Sequence, residues 1–268
     1  MLIGVALAAT ASLLWAVGPF LYKTGATESA LDDLFSIALA AMLSAAPLAA
    51  LGLHLSPQAW LYGAAFSIFG PVLGTYVYLL SLRYAEVGLA NLLSYAYIVL
   101  VPLLASPLEG LSLQYVAASL LAMAGLSAVI RARRGSAKGF ALALLSALFY
   151  AISFLALGAA TASVDPWSFT FVRALVLLLA VGLVEAARRR RPRVSARIFA
   201  AGVLSYGVGG PLFILSTYYA NVVVPTILTA LSPAVTQAIT YLKLGERLDA
   251  WSGAGFALIL AGVVLASI

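Results

Sequence analysis

Tyr218-Tyr219-Ala220-Asn221 opens the last quarter of the chain. An apolar run follows it to Lys243-Leu244-Gly245-Glu246-Arg247-Leu248. Trp251-Ser252-Gly253-Ala254-Gly255-Phe256 then leads a second run that closes on Leu260-Ala261-Gly262-Val263-Val264-Leu265. Physically this is two long apolar spans joined by one short charged loop. The arrangement has an earlier echo, in which Tyr84-Ala85-Glu86-Val87 opens a similar pair, Glu109-Gly110-Leu111 fills the loop and Gly125 lies near the end. Tyr219 follows Tyr84 at almost the same interval, close to half the chain, as Glu246 follows Glu109 and Gly262 follows Gly125. A chain that repeats itself at such an interval is expected to be two halves of one machine.

Composition narrows the class. Of 268 residues, 64 % are hydrophobic and 9 % charged, with a mean hydropathy of +1.08. A soluble domain carries roughly 25 % charged residues, so this chain lacks the polar surface to face water. Apolar runs of ~20 residues recur along it, the mark of a polytopic helical membrane protein. A β-barrel would alternate apolar and polar residues instead. The first run, from Leu2, has no basic segment before it and reads as a span rather than a signal peptide.

There is no cysteine, which excludes disulfides, thiolate metal sites and cysteine nucleophiles; the single histidine, His54, falls in a short loop. No H-E-x-x-H occurs. An intramembrane enzyme, a metal centre and a bound cofactor are therefore not expected. The net charge of +6 is explained by topology and does not call for nucleic acid.

Ten spans are expected, near 2–22, 32–52, 58–81, 87–105, 112–130, 138–160, 167–186, 197–217, 222–241 and 250–267. The loops after the odd-numbered spans carry Lys23; Arg83; Arg131, Arg133, Arg134 and Lys138; Arg188, Arg189, Arg190, Arg191, Arg193 and Arg197; then Lys243 and Arg247. The loops after the even-numbered spans carry no Lys or Arg. That bias puts the odd-numbered loops in the cytoplasm and both termini outside, in a multi-pass cell-membrane protein. The linker Arg133-Arg134-Gly135-Ser136-Ala137-Lys138 separates two repeats, 1–134 and 138–268. Leu13, Trp15 and Ala16 match Leu148, Tyr150 and Ala151 at the offset that relates Tyr84 to Tyr219. Five spans per half is odd, so the second copy lies inverted relative to the first, a build that suits alternating access.

Buried ionisable groups in membranes mark function, and few are expected here. Glu86, Glu109, Glu246 and Asp249 fall at span ends, while Asp32, Asp33 and Asp165 precede spans 2 and 7. Arg173 lies about two turns inside span 7. It is positioned either to meet an anionic substrate group such as a carboxylate, or to snorkel outward or pair with Asp165 or Asp33. Polar stripes supply the other candidates. Span 4 carries Asn91, Ser94 and Tyr95 on one face, and span 9 carries Thr226, Thr229, Ser232, Thr236, Gln237 and Thr240 at spacings of three and four. Tyr76 and Tyr78 in span 3, Tyr206 in span 8, and Trp15 and Tyr150 in spans 1 and 6 complete the set. Such stripes face protein or a wet cavity, not lipid. Pro19, Pro71, Pro102, Pro211 and Pro233 bend the same spans and are candidate hinges. Spans 5 and 10 are rich in small residues, which suits either packing of one half on the other or a homodimer contact.

The phrase Leu244-Gly245-Glu246-Arg247-Leu248, with Trp251, Gly253-Ala254 and Leu258 to Leu265 after it, resembles the end of an EamA domain of the drug/metabolite transporter superfamily. Glu109-Gly110-Leu111 to Gly125 is a weaker copy, so the resemblance covers the chain as two domains. It implies a ten-helix inverted-repeat carrier with a cavity lined by helices 1, 3, 4, 6, 8 and 9, with helices 5 and 10 apart. It also implies small metabolites or amino acids as cargo, moved outward. A flippase or exporter of lipid or amphipathic, drug-like compounds fits the same scaffold. The first helix lacks the glutamate of proton-coupled drug exporters in the superfamily, so that coupling route is not expected.

Overall fold

The architecture is all helical. The computed structural model describes residues 1–109, 112–130, 136–189, 191–245 and 250–267. The loop residues Gly110, Leu111, Arg131, Arg133, Arg134, Arg190, Glu246, Arg247, Leu248 and Asp249 lie outside them.

Fourteen helical pieces follow in order: α1 (Leu2–Gly25), α2 (Ala30–Leu48), α3 (Pro57–Ser67), α4 (Thr75–Ser81), α5 (Val87–Ser94), α6 (Tyr97–Glu109) and α7 (Leu113–Ile130), then α8 (Ala137–Ala160), α9 (Pro166–Ala187), α10 (Ala196–Gly202), α11 (Gly210–Tyr219), α12 (Val223–Leu228), α13 (Leu231–Leu244) and α14 (Ala250–Ser267). Local chemistry sets several ends. Ser29, Ser56, Ser136, Asp165 and Ser195 cap α2, α3, α8, α9 and α10 by accepting from first-turn amides. Pro57 and Pro166 occupy first-turn positions, where no amide donor is needed. Gly245, at φ +68°, takes the left-handed conformation that stops α13.

Several pieces join end to end into longer rods. Among the described residues, eight helices are long and apolar enough to cross a membrane: Leu2–Gly25, Ala30–Leu51, Pro57–Ser81, Val87–Ala105, Ala137–Ala160, Pro166–Ala187, Ala196–Tyr219 and Val223–Leu244. Shorter apolar stretches, Leu113–Gly125 and Gly253–Ala266, lie within α7 and α14. The distribution of polarity is that of a membrane protein. Leu2, Leu43, Leu61, Leu183, Leu242 and Val264 are more than half exposed, whereas Ser12, Ser36, Ser67, Asn91, Thr229 and Thr236 are buried. The apolar outside suits hydrocarbon, and the polar groups turn inward.

Four of the rods are irregular, and the irregularities recur at the interval seen in the sequence. Two wide, π-helical segments, Ile68–Gly74 and Val203–Gly209, link α3 to α4 and α10 to α11. The second follows the first at the same offset as Tyr219 follows Tyr84. Tight turns at Tyr95-Ala96 and Thr229-Ala230 break the fourth and eighth rods, where Ala96 N donates to Leu93 O and Ala230 N to Ile227 O.

Packing crosses the linker. The first helix, α1, is surrounded by α10 to α13, and α8 by α3 to α6. Likewise α2 lies on α9. At the linker, Ser136 N donates to Tyr84 O at 3.1 Å and Lys138 Nζ to the Tyr84 hydroxyl at 3.0 Å. That ammonium holds the Tyr84 phenol below its ordinary pKa.

The small-residue helices α7 and α14 pack on one another. A methyl group on Gly125 would strike Gly255 O, and one on Gly262 would stand 2.6 Å from Ala118 O. Backbone lies against backbone here, so neither neighbour can yield by rotating a side chain. Gly262→Ala is therefore expected to lower stability by about 1–3 kcal/mol. Gly182→Ala, where nothing lies within 4 Å, should raise it by up to about 1 kcal/mol through helix propensity. Thermal unfolding in detergent checks both signs; equal shifts would refute the close approach.

Candidate functional site

Three of the irregular rods, with α1, α8 and α9, present polar or aromatic groups to one central space. Trp15, Pro19 and Tyr22 follow one another on α1 at spacings of four and three, so they share a face. Thr75 and Tyr78 do the same on α4, as do Tyr150 and Phe154 on α8. Asn91, Ser94 and Tyr95 come from α5 and its end, and Arg173 from α9. Ser205, Tyr206, Gly210 and Phe213 come from the second π-helical segment and α11. Together these residues line a cavity of about 100 Å³. It lies between two apolar clusters, one holding Phe154 and Phe213, the other Tyr22 and Tyr78.

Defects in the helices supply its hydrogen-bonding groups. A π-helical turn shifts the amide–carbonyl register, which leaves carbonyls available to outside donors. Trp15 Nε1 donates to Ser205 O at 2.7 Å, and Arg173 Nη2 donates to Tyr206 O at 2.8 Å. In the first π-helical segment, Gly74 O accepts from Ser146 Oγ at 2.9 Å. Prolines act similarly, because a proline cannot donate to the carbonyl four residues back. Pro102 leaves Ile98 O to accept from Ser119 Oγ at 3.3 Å. Pro233 leaves Thr229 O to accept from Ser12 Oγ at 3.1 Å.

Two side-chain chains cross the site. Tyr78 Oη donates to Asn91 Oδ1 at 3.1 Å, and Asn91 Nδ2 to Thr236 Oγ1 at 3.1 Å. Thr236 Oγ1 in turn donates to Ala16 O at 2.9 Å. On the other side the Thr75 hydroxyl bonds Tyr150 Oη at 2.9 Å and also the Tyr206 hydroxyl. Aromatic rings close one end. Trp15 meets Phe213 at 5.1 Å, Phe213 meets Phe154 at 5.0 Å, and Phe154 meets Tyr97 at 5.0 Å between centroids. Beyond Tyr22 the opposite end is charged. Arg83 pairs with Asp33 at 3.0 Å, and the Lys23 ammonium bonds Leu82 O.

Of the twelve candidate binding residues, Trp15, Tyr78, Asn91, Ser94, Tyr95, Tyr150, Arg173 and Tyr206 border the cavity. Tyr76 does not. It lies two residues from Tyr78, about 200° around an α-helix, and packs on the second apolar cluster. Thr229, Ser232 and Thr236 are buried behind the wall, where Thr229 and Thr236 hold α12 and α13 to α1. Pro19 and Pro71 border the cavity; Pro102, Pro211 and Pro233 do not. Neither carboxylate suggested as a partner of Arg173 meets it. Asp165 caps α9 through Trp167 N and Ser168 N, and Asp33 accepts from Arg83. The candidate set lacks four hydroxyl-bearing residues that do border the cavity, Tyr22, Thr75, Tyr97 and Ser205, and the apolar part of its wall, such as Phe154 and Phe213. The spacing Trp15, Pro19, Tyr22 carried a signal for the first of these.

The model of the EamA-like transporter family matches residues 2–131 and again residues 137–268. One crystal structure is similar over 98 % of this chain and 96 % of the other, with a TM-score of 0.78 and 20 % identity. At that identity the likeness shows the fold alone. No curated protein matches.

The Asn91 chain gives a test of the wall. Thr236→Val keeps the shape but leaves Asn91 Nδ2 without its buried acceptor, at a cost of about 1–3 kcal/mol. Thr240→Val removes only a hydroxyl bonded within its own helix, to Gln237 O at 3.2 Å, and should cost less than about 1 kcal/mol. Unfolding temperatures of the two variants in one detergent decide it.

Proposed function

Because the chain belongs to the EamA-like transporter family, and so is a membrane carrier of small molecules rather than an enzyme, we propose that it works by alternating access between two inverted five-helix repeats, 1–134 and 138–268. In this reading α7 and α14 complete a set of ten spans. The basic loops lie in the cytoplasm and both termini outside, in the cell membrane. Substrate binds between Trp15, Tyr78, Asn91, Ser94, Tyr95, Tyr150, Arg173 and Tyr206, with Thr229, Ser232 and Thr236 supporting the wall and Tyr76 outside it. Pro19, Pro71 and Pro211 are the hinges nearest the cavity. The cargo is a small metabolite, an amino acid or related compound, moved outward.

The observation that carries this reading is the exchange between halves. Trp15 and Tyr150 occupy equivalent places in the two repeats. Trp15 bonds Ser205 O in the π-helical segment of the other half. The Tyr150 ring would meet a methyl group on Gly74 at 3.3 Å, at the end of the first half's π-helical segment. Each half thus holds an aromatic residue of the other at its π-helical segment. Rocking of the halves would loosen one seat and tighten its counterpart. The aromatic chain then serves as the outer closure, and Arg83, Asp33 and Lys23 as the cytoplasmic one.

The absence of cysteine makes a direct test available. Ser94→Cys places one thiol on the cavity wall, replacing a hydroxyl bonded only to Asn91 O of its own helix at 2.7 Å. In sided membrane vesicles, a membrane-impermeant thiol reagent is expected to modify it from either face. Modification from only one face under every condition would sink alternating access. No modification of a folded protein would sink the cavity itself.

A further inference from the structure

We infer that the cavity takes an organic monoanion: a carboxylate on an aromatic body, with the carboxylate held by Arg173. This rests on the cavity being the transport site and, among the small metabolites proposed above, favours a simple carboxylate over an amino acid.

Arg173 is 2 % exposed and lies within the Pro166–Ala187 span. Buried arginines in membranes are normally neutralised by a partner. The described ion pairs are Arg83–Asp33 and Arg193–Glu28, and Asp165 is occupied in capping α9. The Arg173 guanidinium donates Nη2 to Tyr206 O, and its Nε has no hydrogen-bond partner. Among the described residues no Asp or Glu lines the cavity. The space therefore carries one uncompensated positive charge and unused donor capacity.

Charge balance then sorts the candidates. A monocarboxylate neutralises the site and matches the guanidinium fork. A cation is repelled. A dianion leaves one negative charge buried without a partner. A zwitterionic amino acid brings an ammonium that would find ring faces and neutral oxygens such as those of Thr75, Ser94 and Ser205, but among the described residues no carboxylate to balance its charge. The walls argue for the body. Trp15, Phe213, Phe154 and Tyr97 form a run of rings with centroids 5.0–5.1 Å apart, surfaces on which a further flat ring stacks.

The test uses the full chain in detergent, with phenylacetate, phenylacetamide, phenethylamine and phenylalanine as probes. These share a ring and differ in charge. Calorimetric titration is expected to show phenylacetate binding about tenfold or more tightly than the other three. Arg173→Gln should weaken phenylacetate by about 10- to 100-fold while leaving phenylacetamide nearly unchanged, and Arg173→Lys should restore part of the loss. The wild-type panel stands alone if Arg173→Gln fails to fold. Tighter binding of the amine, the amide or the amino acid, or no binding of phenylacetate, overturns the inference. Labelling of Ser94→Cys separates the two failures. If that thiol reacts while phenylacetate does not bind, the charge assignment falls and the cavity stands; if it never reacts in folded protein, both fall.

Discussion

Backbone amides and carbonyls inside hydrocarbon have no water to turn to, so each must find a partner within the protein. Regular helices meet this requirement internally and offer nothing to a neighbour. Several contacts of the central site come from places where the helix fails to do so. The two π-helical segments and the prolines release carbonyls, and a donor from another helix answers each one described above: Trp15 for Ser205, Arg173 for Tyr206, Ser12 for Thr229, Ser119 for Ile98 and Ser146 for Gly74. The same defects open space and fix the helices around it. Rigidity and cavity thus have one origin. A chain of straight, unbroken helices with this composition would pack more simply and enclose nothing polar.

Much of this was legible in the sequence, because apolar length and polar periodicity are one-dimensional signals. Ten spans were expected from apolar length, and among the described residues eight rods are long and apolar enough to cross a membrane; the small-residue faces of α7 and α14 were readable as well. Depth and phase were less accessible. Tyr76 and Tyr78 looked alike as polar aromatics, yet two residues on a helix point to opposite sides. Thr229 and Thr236 made a convincing stripe, but it lies behind the cavity wall: the Thr229 hydroxyl meets that of Tyr97, and the Thr236 hydroxyl accepts from Asn91 Nδ2 and donates to the Ala16 carbonyl. The π-helical segments left only hints, glycines at 70, 74, 207 and 209 around Pro71 and Pro211. A sequence shows that a helix is weakened there, not which carbonyl it releases or which donor answers it. Arg173 was visible as an isolated charge. That its two nearest carboxylate candidates were already engaged elsewhere required the fold.

The two halves are alike in construction and unlike in detail. Trp15 reaches a carbonyl directly, while its counterpart Tyr150 binds a hydroxyl, Thr75. Arg173 has a place in the second half, and among the described residues no second Lys or Arg borders the cavity. In the alternating-access reading proposed above, a duplicated frame would give two related shapes, and unequal side chains would let them differ in energy. Binding that neutralises Arg173 would act on that difference, since a ligand shifts such an equilibrium only by its unequal affinity for the two states.

The pairing of α7 with α14 has a bearing on how the molecule is made. Gly125 of α7 is shaped for a helix that begins only at Ala250, long after α7 itself has been synthesised. At about 5–20 residues per second, a nascent chain spends roughly 6–24 s with that surface facing lipid or a chaperone. Assembly at the ribosome is therefore not a simple march from first span to last. The final helix returns to a partner inserted long before, and the membrane machinery must keep that early helix uncommitted until it arrives.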